Sequence, residues 1–209
     1  REEDGSGINV SVIIPTWNGM HCLPQCLTSA LEECAALDRG SEVIVVDNGS
    51  SDGTTQYIRQ QYSEVRLLEL GSNRGFAEPC DLGIRSARGE ICILLNNDAW
   101  FAKGTLAKLI TFADQGKYSF AGPRILNPDG TLQVGPMSID ALGDPCDADL
   151  QKEPFCVVGS VMLIRKQDYL DIGGFDNRFF AFVEEVDLQW RARLYGKRIG
   201  YTDGAQVFH

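Results

Sequence analysis

Apolar residues along this chain fall into short unbroken runs separated by polar, turn-rich stretches. Val10 to Ile14 is a β-branched run halted by Pro15, and Val43 to Val46, Val65 to Leu70 and Ile91 to Leu95 repeat the pattern. Runs of this length and composition predict strands buried on both faces, as in a parallel sheet. Between them the spacing turns helical, over Cys22 to Leu37 with Gly40 beyond, Thr54 to Tyr62, and Pro79 to Ala87. Strand and helix therefore alternate through the first hundred residues, which predicts an α/β fold with a doubly wound, mostly parallel central sheet flanked by helices on both faces.

In such sheets ligands bind beyond the carboxyl ends of the strands. The residues that follow the four strands are Thr16-Trp17-Asn18, Asp47-Asn48-Gly49-Ser50, Gly71-Ser72-Asn73 and Asn96-Asn97-Asp98, and the topology predicts that they share one rim. The second half is less regular. Lys103 to Gln115 reads as a helix, Asn127-Pro128-Asp129-Gly130 as a turn between strands, Val157 to Ile164 as a strand, and Glu184 to Tyr195 as a helix closed by Gly196. Residues 135–153, rich in Gly, Pro and Asp, are expected to form a mobile loop. Residues 1–9 read as a flexible leader and 10–209 as a single domain without repeat or linker, cut at its C-terminus from something longer.

A chain of 209 residues, 44% apolar and 23% charged, has the length and composition of one α/β domain with a substantial core. Its formal net charge of −10 argues against a nucleic-acid binder, which needs a basic face to displace counterions. A nucleotide site remains open, because a bound divalent cation offsets charge locally. The seven cysteines are odd in number, and several sit inside apolar runs such as Ile91-Cys92-Ile93 and Phe155-Cys156-Val157. That pattern reads as buried free thiols of a reducing compartment, not a disulfide framework. Cys22 and Cys26 share a helix face, but no second pair stands at matching spacing, so they read as thiols and not as metal ligands. No stretch approaches a transmembrane span, and the opening residues are not a signal peptide. The expected location is the cytoplasm, extending to a peripheral position at the inner face of the membrane.

Ile14-Pro15-Thr16-Trp17-Asn18 and Val45-Val46-Asp47-Asn48-Gly49-Ser50-Ser51-Asp52-Gly53-Thr54 resemble the opening of glycosyltransferase family 2, whose members adopt the Rossmann-like GT-A fold. The likeness continues through Asn73-Arg74-Gly75-Phe76-Ala77, Leu95-Asn96-Asn97-Asp98, Gly173-Gly174-Phe175-Asp176 and Glu184-Glu185-Val186-Asp187-Leu188, and closes on Gly204-Ala205-Gln206-Val207-Phe208-His209. It covers nearly the whole chain from Val10 onward and is nearest to a rhamnosyltransferase-like branch.

Taken alone, Asp47-Asn48-Gly49 is a good turn. After a buried strand, the Asp47 carboxylate can also accept the ring N–H of uracil or thymine, and the resemblance gives it that base-reading role; guanine offers similar chemistry. Asn96-Asn97-Asp98 stands where the family carries Asp-x-Asp. The resemblance makes Asp98 a ligand for Mn²⁺ or Mg²⁺, which bridges the two phosphates and offsets charge as the glycosidic bond breaks. Asn96, in place of the first Asp, is expected to hydrogen-bond ribose or an ordered water, and the ion to bind weakly until the diphosphate arrives. A competing reading makes the triplet a cap for the helix near Lys103. His209 aligns with a position that completes the metal shell, and neutral imidazole suits Mn²⁺; His21 reads as a surface residue. Pro15, Thr16, Asn18, Asn73, Gly75 and Asn97 join the nucleotide site by the same resemblance.

Glu185 stands where the family has its general base, usually Asp, and would take the proton of the acceptor hydroxyl. Asp187 is the second candidate, with an ion pair to Arg191 one helical turn later as its alternative role. Arg74 could offset phosphate charge or be solvated. Gly159-Ser160 and Gly173-Gly174-Phe175 border the donor sugar and acceptor by resemblance, and serve equally well as turns.

These assignments imply an inverting, metal-dependent transfer from dTDP-rhamnose or a UDP-sugar to a hydroxyl of a glycan or lipid-linked acceptor, resting on positioning and electrostatics. A sugar-nucleotide nucleotidyltransferase would need a cationic Gly-rich loop after the first strand, and Pro15-Thr16-Trp17-Asn18-Gly19 has no cation. A non-catalytic nucleotide-sugar or glycan-binding module of the same fold is the alternative that Asn96 and Glu185 leave open.

Overall fold

The computed structural model describes residues 7–139, 145–147 and 153–209. The expected alternation is present: β1 (Ile8–Thr16), α1 (Leu23–Ala35), β2 (Gly40–Asp47), α2 (Thr54–Gln61), β3 (Arg66–Glu69), α3 (Ala77–Ser86) and β4 (Ile91–Leu95). After β5 (Trp100–Phe101) and α4 (Thr105–Gly116) come β6 (Phe120–Leu126), β7 (Leu132–Val134), β8 (Met137–Ile139) and β9 (Pro145–Asp147). The chain then runs through β10 (Val161–Arg165), α5 (Lys166–Asp171), α6 (Glu184–Leu194) and β11 (Ile199–Phe208).

Several boundaries shift by a few residues from the sequence pattern, and three segments differ in more than that. β1 begins at Ile8, inside the segment expected as a leader, of which residues 1–6 lie outside the described residues. Within the expected loop at 135–153, β8 and β9 pair antiparallel, while 140–144 and 148–152 lie outside the described residues. The strand expected from Val157 starts only at Val161, because a turn at Gly159-Ser160 precedes it.

The main sheet has the order β3-β2-β1-β4-β10-β6-β11-β5, with β7 added beside β6. β3, β2, β1 and β4 are parallel. β10 then runs antiparallel between β4 and β6, and β6 and β11 are parallel again, so the second half is mixed. From β1 the chain winds outward through β2 and β3, then returns to place β4 on the other side of β1. That reversal is the switch point at which α/β sheets open a crevice.

Burial on both faces explains the unbroken apolar runs. Val10, Val12, Ile14, Val43, Val45, Ile93 and Leu95 pack toward α1 and α4. The alternate residues Ile13, Ile44, Val46, Cys92 and Leu94 pack toward α3, α5 and α6. α3 lies so close to β1 that a Cβ at Gly83 would run into Ile13 Cγ2. All seven cysteines are free thiols; Cys26, Cys34, Cys80, Cys92 and Cys156 are buried and Cys146 is exposed. No helix among the described residues is long and apolar enough to cross a membrane.

The N-terminus of α4 is capped from another helix. Buried Glu33 of α1 accepts from Gly104 N at 2.6 Å and Leu106 N at 2.9 Å. Those are the donors a helix start leaves open, so Asn96-Asn97-Asp98 is not needed as the cap.

Candidate active site

The loops after β1, β2 and β4 and the start of α3 meet in a cleft lined by Pro15, Thr16, Asn48, Asn73, Gly75, Asn96, Asn97 and Asp98. Asn48, expected on the rim but without a role of its own, sews these loops together. Its backbone N–H donates to Thr16 O (2.8 Å), its amide donates to Asn73 Oδ1 (3.1 Å) and Gly75 O (2.7 Å), and its Oδ1 accepts from Arg74 N (2.8 Å). With every polar group engaged, the side chain holds one geometry. Thr16 Oγ1 accepts from Asn97 Nδ2 at 2.9 Å, tying β1 to the loop after β4.

Asn18 is not part of the lining. Its backbone N–H donates to Ser50 Oγ and its Oδ1 accepts from Ser51 N, both at 2.8 Å, so it ties the loop after β1 to the loop after β2. Arg74 is likewise outside the lining and pairs with Glu78 at 2.7 Å. Gly75 sits at φ +85°, and a Cβ there would strike Phe180 O, which accepts from Phe76 N at 2.6 Å. That contact brings Phe180 and Ala181 to the cleft, and no sequence signal marked either of them.

Asp47 is also outside the cleft lining, buried at the end of β2. Its Oδ2 accepts from Gly49 N (3.1 Å) and Ser50 N (3.0 Å), while Oδ1 is buried without a partner. One oxygen therefore makes the turn and the other keeps its acceptor capacity, which is costly in a buried group unless a ligand supplies the donor.

β11 runs beside β6, and His209 N donates to Leu126 O at 2.9 Å. The imidazole is delivered to the loop after β4, where Nε2 lies 3.2 Å from Asp98 Oδ1. The hydrogen bond with His209 holds the Asp98 carboxyl below its ordinary range. A carboxylate and an imidazole side by side are donors suited to Mn²⁺, and the carboxylate to Mg²⁺. They fit such an ion as part of a shell only. Among the described residues no three His, Cys, Asp or Glu side chains converge, so an ion here would need further donors from water or a ligand.

A second cavity of about 360 Å³ is lined by Gly159, Ser160, Phe182, Glu184 and Glu185, and shares Phe76, Asn96 and Ala181 with the first. Glu185 lies against Gly159, where an added Cβ would stand 3.2 Å from Glu185 Cβ. Asn96 Oδ1, Ser160 Oγ and Glu184 Oε2 are buried without hydrogen-bond partners on this wall. Burial pushes the Glu184 carboxyl above its ordinary range. Asp187 does not line the cavity. Its Oδ2 is held by Arg191 Nε (3.0 Å) and Nη2 (2.7 Å), and Arg191 also donates to Ile172 O and Gly174 O, both at 2.8 Å. The ion pair expected as its alternative role is present. Phe182 (φ 72°) and Val183 (φ 68°) lead into α6 in the left-handed region, a strained pair just ahead of Glu185.

The doubly wound sheet thus carries a polar cleft at its switch point and a carboxylate-lined cavity beside it. The family model for glycosyl transferase family 2 matches residues 11–173, and the chain belongs to that family, whose enzymes transfer sugars from nucleotide-sugar donors. An N-acetylglucosaminyl-diphospho-decaprenol L-rhamnosyltransferase of Mycobacterium tuberculosis is 28% identical over 209 aligned positions, covering 83% of this chain and 68% of the relative. The low-salt glycan biosynthesis hexosyltransferase Agl10 of Haloferax volcanii is 28% identical over 184 positions, covering 81% of this chain and 59% of the relative. Among solved structures, S. aureus TarS 1-349 in complex with UDP has a TM-score of 0.73 at 20% identity, covering 97% of this chain and 60% of that one. GalNAc-T7 with UDP, GalNAc and Mn²⁺ has a TM-score of 0.78 at 15% identity, covering 99% and 44%. These likenesses show the GT-A fold, and the chain spans only part of each relative's length.

Proposed function

We propose that this chain transfers a sugar from a dTDP- or UDP-linked donor to a hydroxyl of a glycan or lipid-linked acceptor, with inversion and with help from a divalent ion. The observation that carries this reading is the shared wall: the cleft holding Asp98 and Asn97 and the cavity holding Glu185 meet at Phe76, Asn96 and Ala181. A sugar bridging that wall has its phosphate side toward Asp98 and its open face toward Glu185.

Asp47 Oδ1 is the acceptor for the ring N–H of a uracil or thymine base. Asn96 Oδ1, Ser160 Oγ and Glu184 Oε2 are unpaired groups suited to sugar hydroxyls. Asp98 and His209 would hold Mn²⁺ or Mg²⁺, which when bound offsets charge on the departing diphosphate. Glu185 takes the proton of the acceptor hydroxyl as its oxygen bonds to the anomeric carbon. The bond to the β-phosphate oxygen breaks, and the diphosphate leaves with the electron pair. The mycobacterial relative, named for a diphospho-decaprenol compound, and the TarS and GalNAc-T7 structures, which hold UDP and, in the latter, Mn²⁺, support this reading.

The test is a thermal-shift panel of UDP, dTDP, GDP and CDP with and without Mn²⁺, followed by donor hydrolysis. Stabilisation by UDP or dTDP that grows with Mn²⁺, and hydrolysis abolished by Asp98→Ala, is the expected result. Nucleotide binding with no turnover of any donor would favour a binding module instead.

A further inference from the structure

The side-chain amide of Gln133 decides which nitrogen of His209 carries its proton. From β7, Gln133 Nε2 donates to the carbonyl oxygen of His209 at 2.7 Å. A carbonyl only accepts, so the amide nitrogen belongs on that side and Oε1 on the other. Oε1 lies 2.8 Å from His209 Nδ1. An amide oxygen also only accepts, so Nδ1 must carry the hydrogen. Nε2 faces Asp98 Oδ1 across 3.2 Å: with a second proton it makes the hydrogen bond that Asp98 accepts, and in the neutral ring it presents a lone pair there. Asn96 Nδ2, a donor, sits 3.5 Å from the same nitrogen, a placement compatible with this tautomer. Two lone pairs so close repel unless a proton or a cation stands between them.

We propose that Gln133 is a positioning residue: it holds His209 in the Nδ1–H tautomer and aims Nε2, together with Asp98, at the divalent ion of a bound nucleoside diphosphate. This rests on the metal-assisted reading given above. The hairpin that carries Gln133 is itself braced. Asn127 N donates to Thr131 O at 2.8 Å, Asn127 Nδ2 to Thr131 Oγ1 at 2.9 Å, and Asp129 Oδ1 accepts from Thr131 N at 2.9 Å. β6 supports both partners, pairing Leu126 with Leu132 on one side and accepting from His209 N on the other. A histidine ligand whose second nitrogen is held by an acceptor is fixed in orientation and made more basic, and loss of such a partner typically weakens metal binding about 10- to 100-fold.

The experiment uses the whole 209-residue chain as wild type, Gln133→Ala and Gln133→Glu. Free Mn²⁺ is followed by electron paramagnetic resonance as the ion is titrated with and without UDP, and the His209 ring nitrogens are read by ¹⁵N NMR in the metal-free protein. Gln133→Ala is expected to weaken Mn²⁺ binding in the presence of UDP about 10- to 100-fold, while leaving metal-free UDP binding unchanged. Gln133→Glu keeps an acceptor for Nδ1–H but loses the donor to His209 O, and is expected to recover part of the Mn²⁺ affinity that Gln133→Ala loses. In the neutral wild-type ring the proton is expected on Nδ1, and in Gln133→Ala it should shift toward Nε2. Undiminished Mn²⁺ affinity in Gln133→Ala, or a wild-type proton on Nε2, overturns the role of Gln133 alone. A wild-type chain that binds UDP but no Mn²⁺ overturns the metal-assisted reading and this role with it.

Discussion

Gln189 grips the backbone of Val157 with both ends of its amide: Nε2 donates to Val157 O at 2.7 Å and Oε1 accepts from Val157 N at 2.8 Å. The side chain is fully buried and imitates a strand partner for Val157, beside the bridge that Cys156 makes with Met137. Because Gln189 is one turn along α6 from Glu185, and Nε2 also reaches Glu185 O at 3.1 Å, this clasp sets where the candidate base meets Gly159. Gln189→Leu leaves two buried backbone groups unpaired and is expected to cost about 2–4 kcal/mol. Urea denaturation measures it; a stability unchanged from wild type would show that water replaces the clasp.

Glu184 and Glu185 are adjacent but in different surroundings, and their substitutions should separate. Burial raises the Glu184 carboxyl, so between its unfolded and folded pKa values the folded state binds more protons than the unfolded one. Stability then falls as pH rises through that window and levels off above it. Glu184→Gln is therefore expected to raise Tm at pH 7 to 8, with the gain disappearing as pH approaches 4. Paired melting curves across that range decide it, and a gain independent of pH would contradict the assignment.

For Glu185 the expectation is kinetic. Glu185→Gln should lower kcat by about 10²- to 10⁴-fold, the usual contribution of a general base, with nucleotide binding retained. Asp187→Asn breaks the bond to Arg191 and should lower Tm, because Arg191 also holds the turn at Ile172 and Gly174. It should leave kcat near wild type at temperatures where the variant is folded. If instead Asp187→Asn loses activity as Glu185→Gln does while melting normally, the base has been assigned to the wrong carboxylate.

Much of the site was legible because it sits where a simple rule says to look. Thr16, Asp47 and Asn96 each lie at or next to the end of a parallel strand, and the topology carries them to one rim without any knowledge of side-chain contacts. Glu33, Gln133 and Gln189 were not legible, since each acts through a partner 32 to 76 positions away and looks locally like an ordinary polar residue. The mixed half of the sheet was hidden for a related reason. After β4 the strand–helix alternation stops, and nothing in the periodicity of Val161 to Arg165 tells an antiparallel neighbour from a parallel one.

Gly75 offers a test of the cleft that does not touch its polar groups. The residue holds φ +85°, and its missing Cβ is what lets Phe180 O reach Phe76 N. Gly75→Ala would cost about 1–2 kcal/mol for the left-handed backbone, and must also push the Phe180-Ala181 segment outward. That segment walls both cavities, so the variant should lose nucleotide-dependent stabilisation beyond what its lower Tm explains. Gly130→Ala is the control: it too has positive φ, +84°, but nothing lies within 4 Å of the added methyl. Comparing the UDP-induced shift of the two variants at matched distance below their own Tm separates backbone strain from loss of the wall. Equal shifts would mean that Phe180 and Ala181 do not shape the nucleotide site.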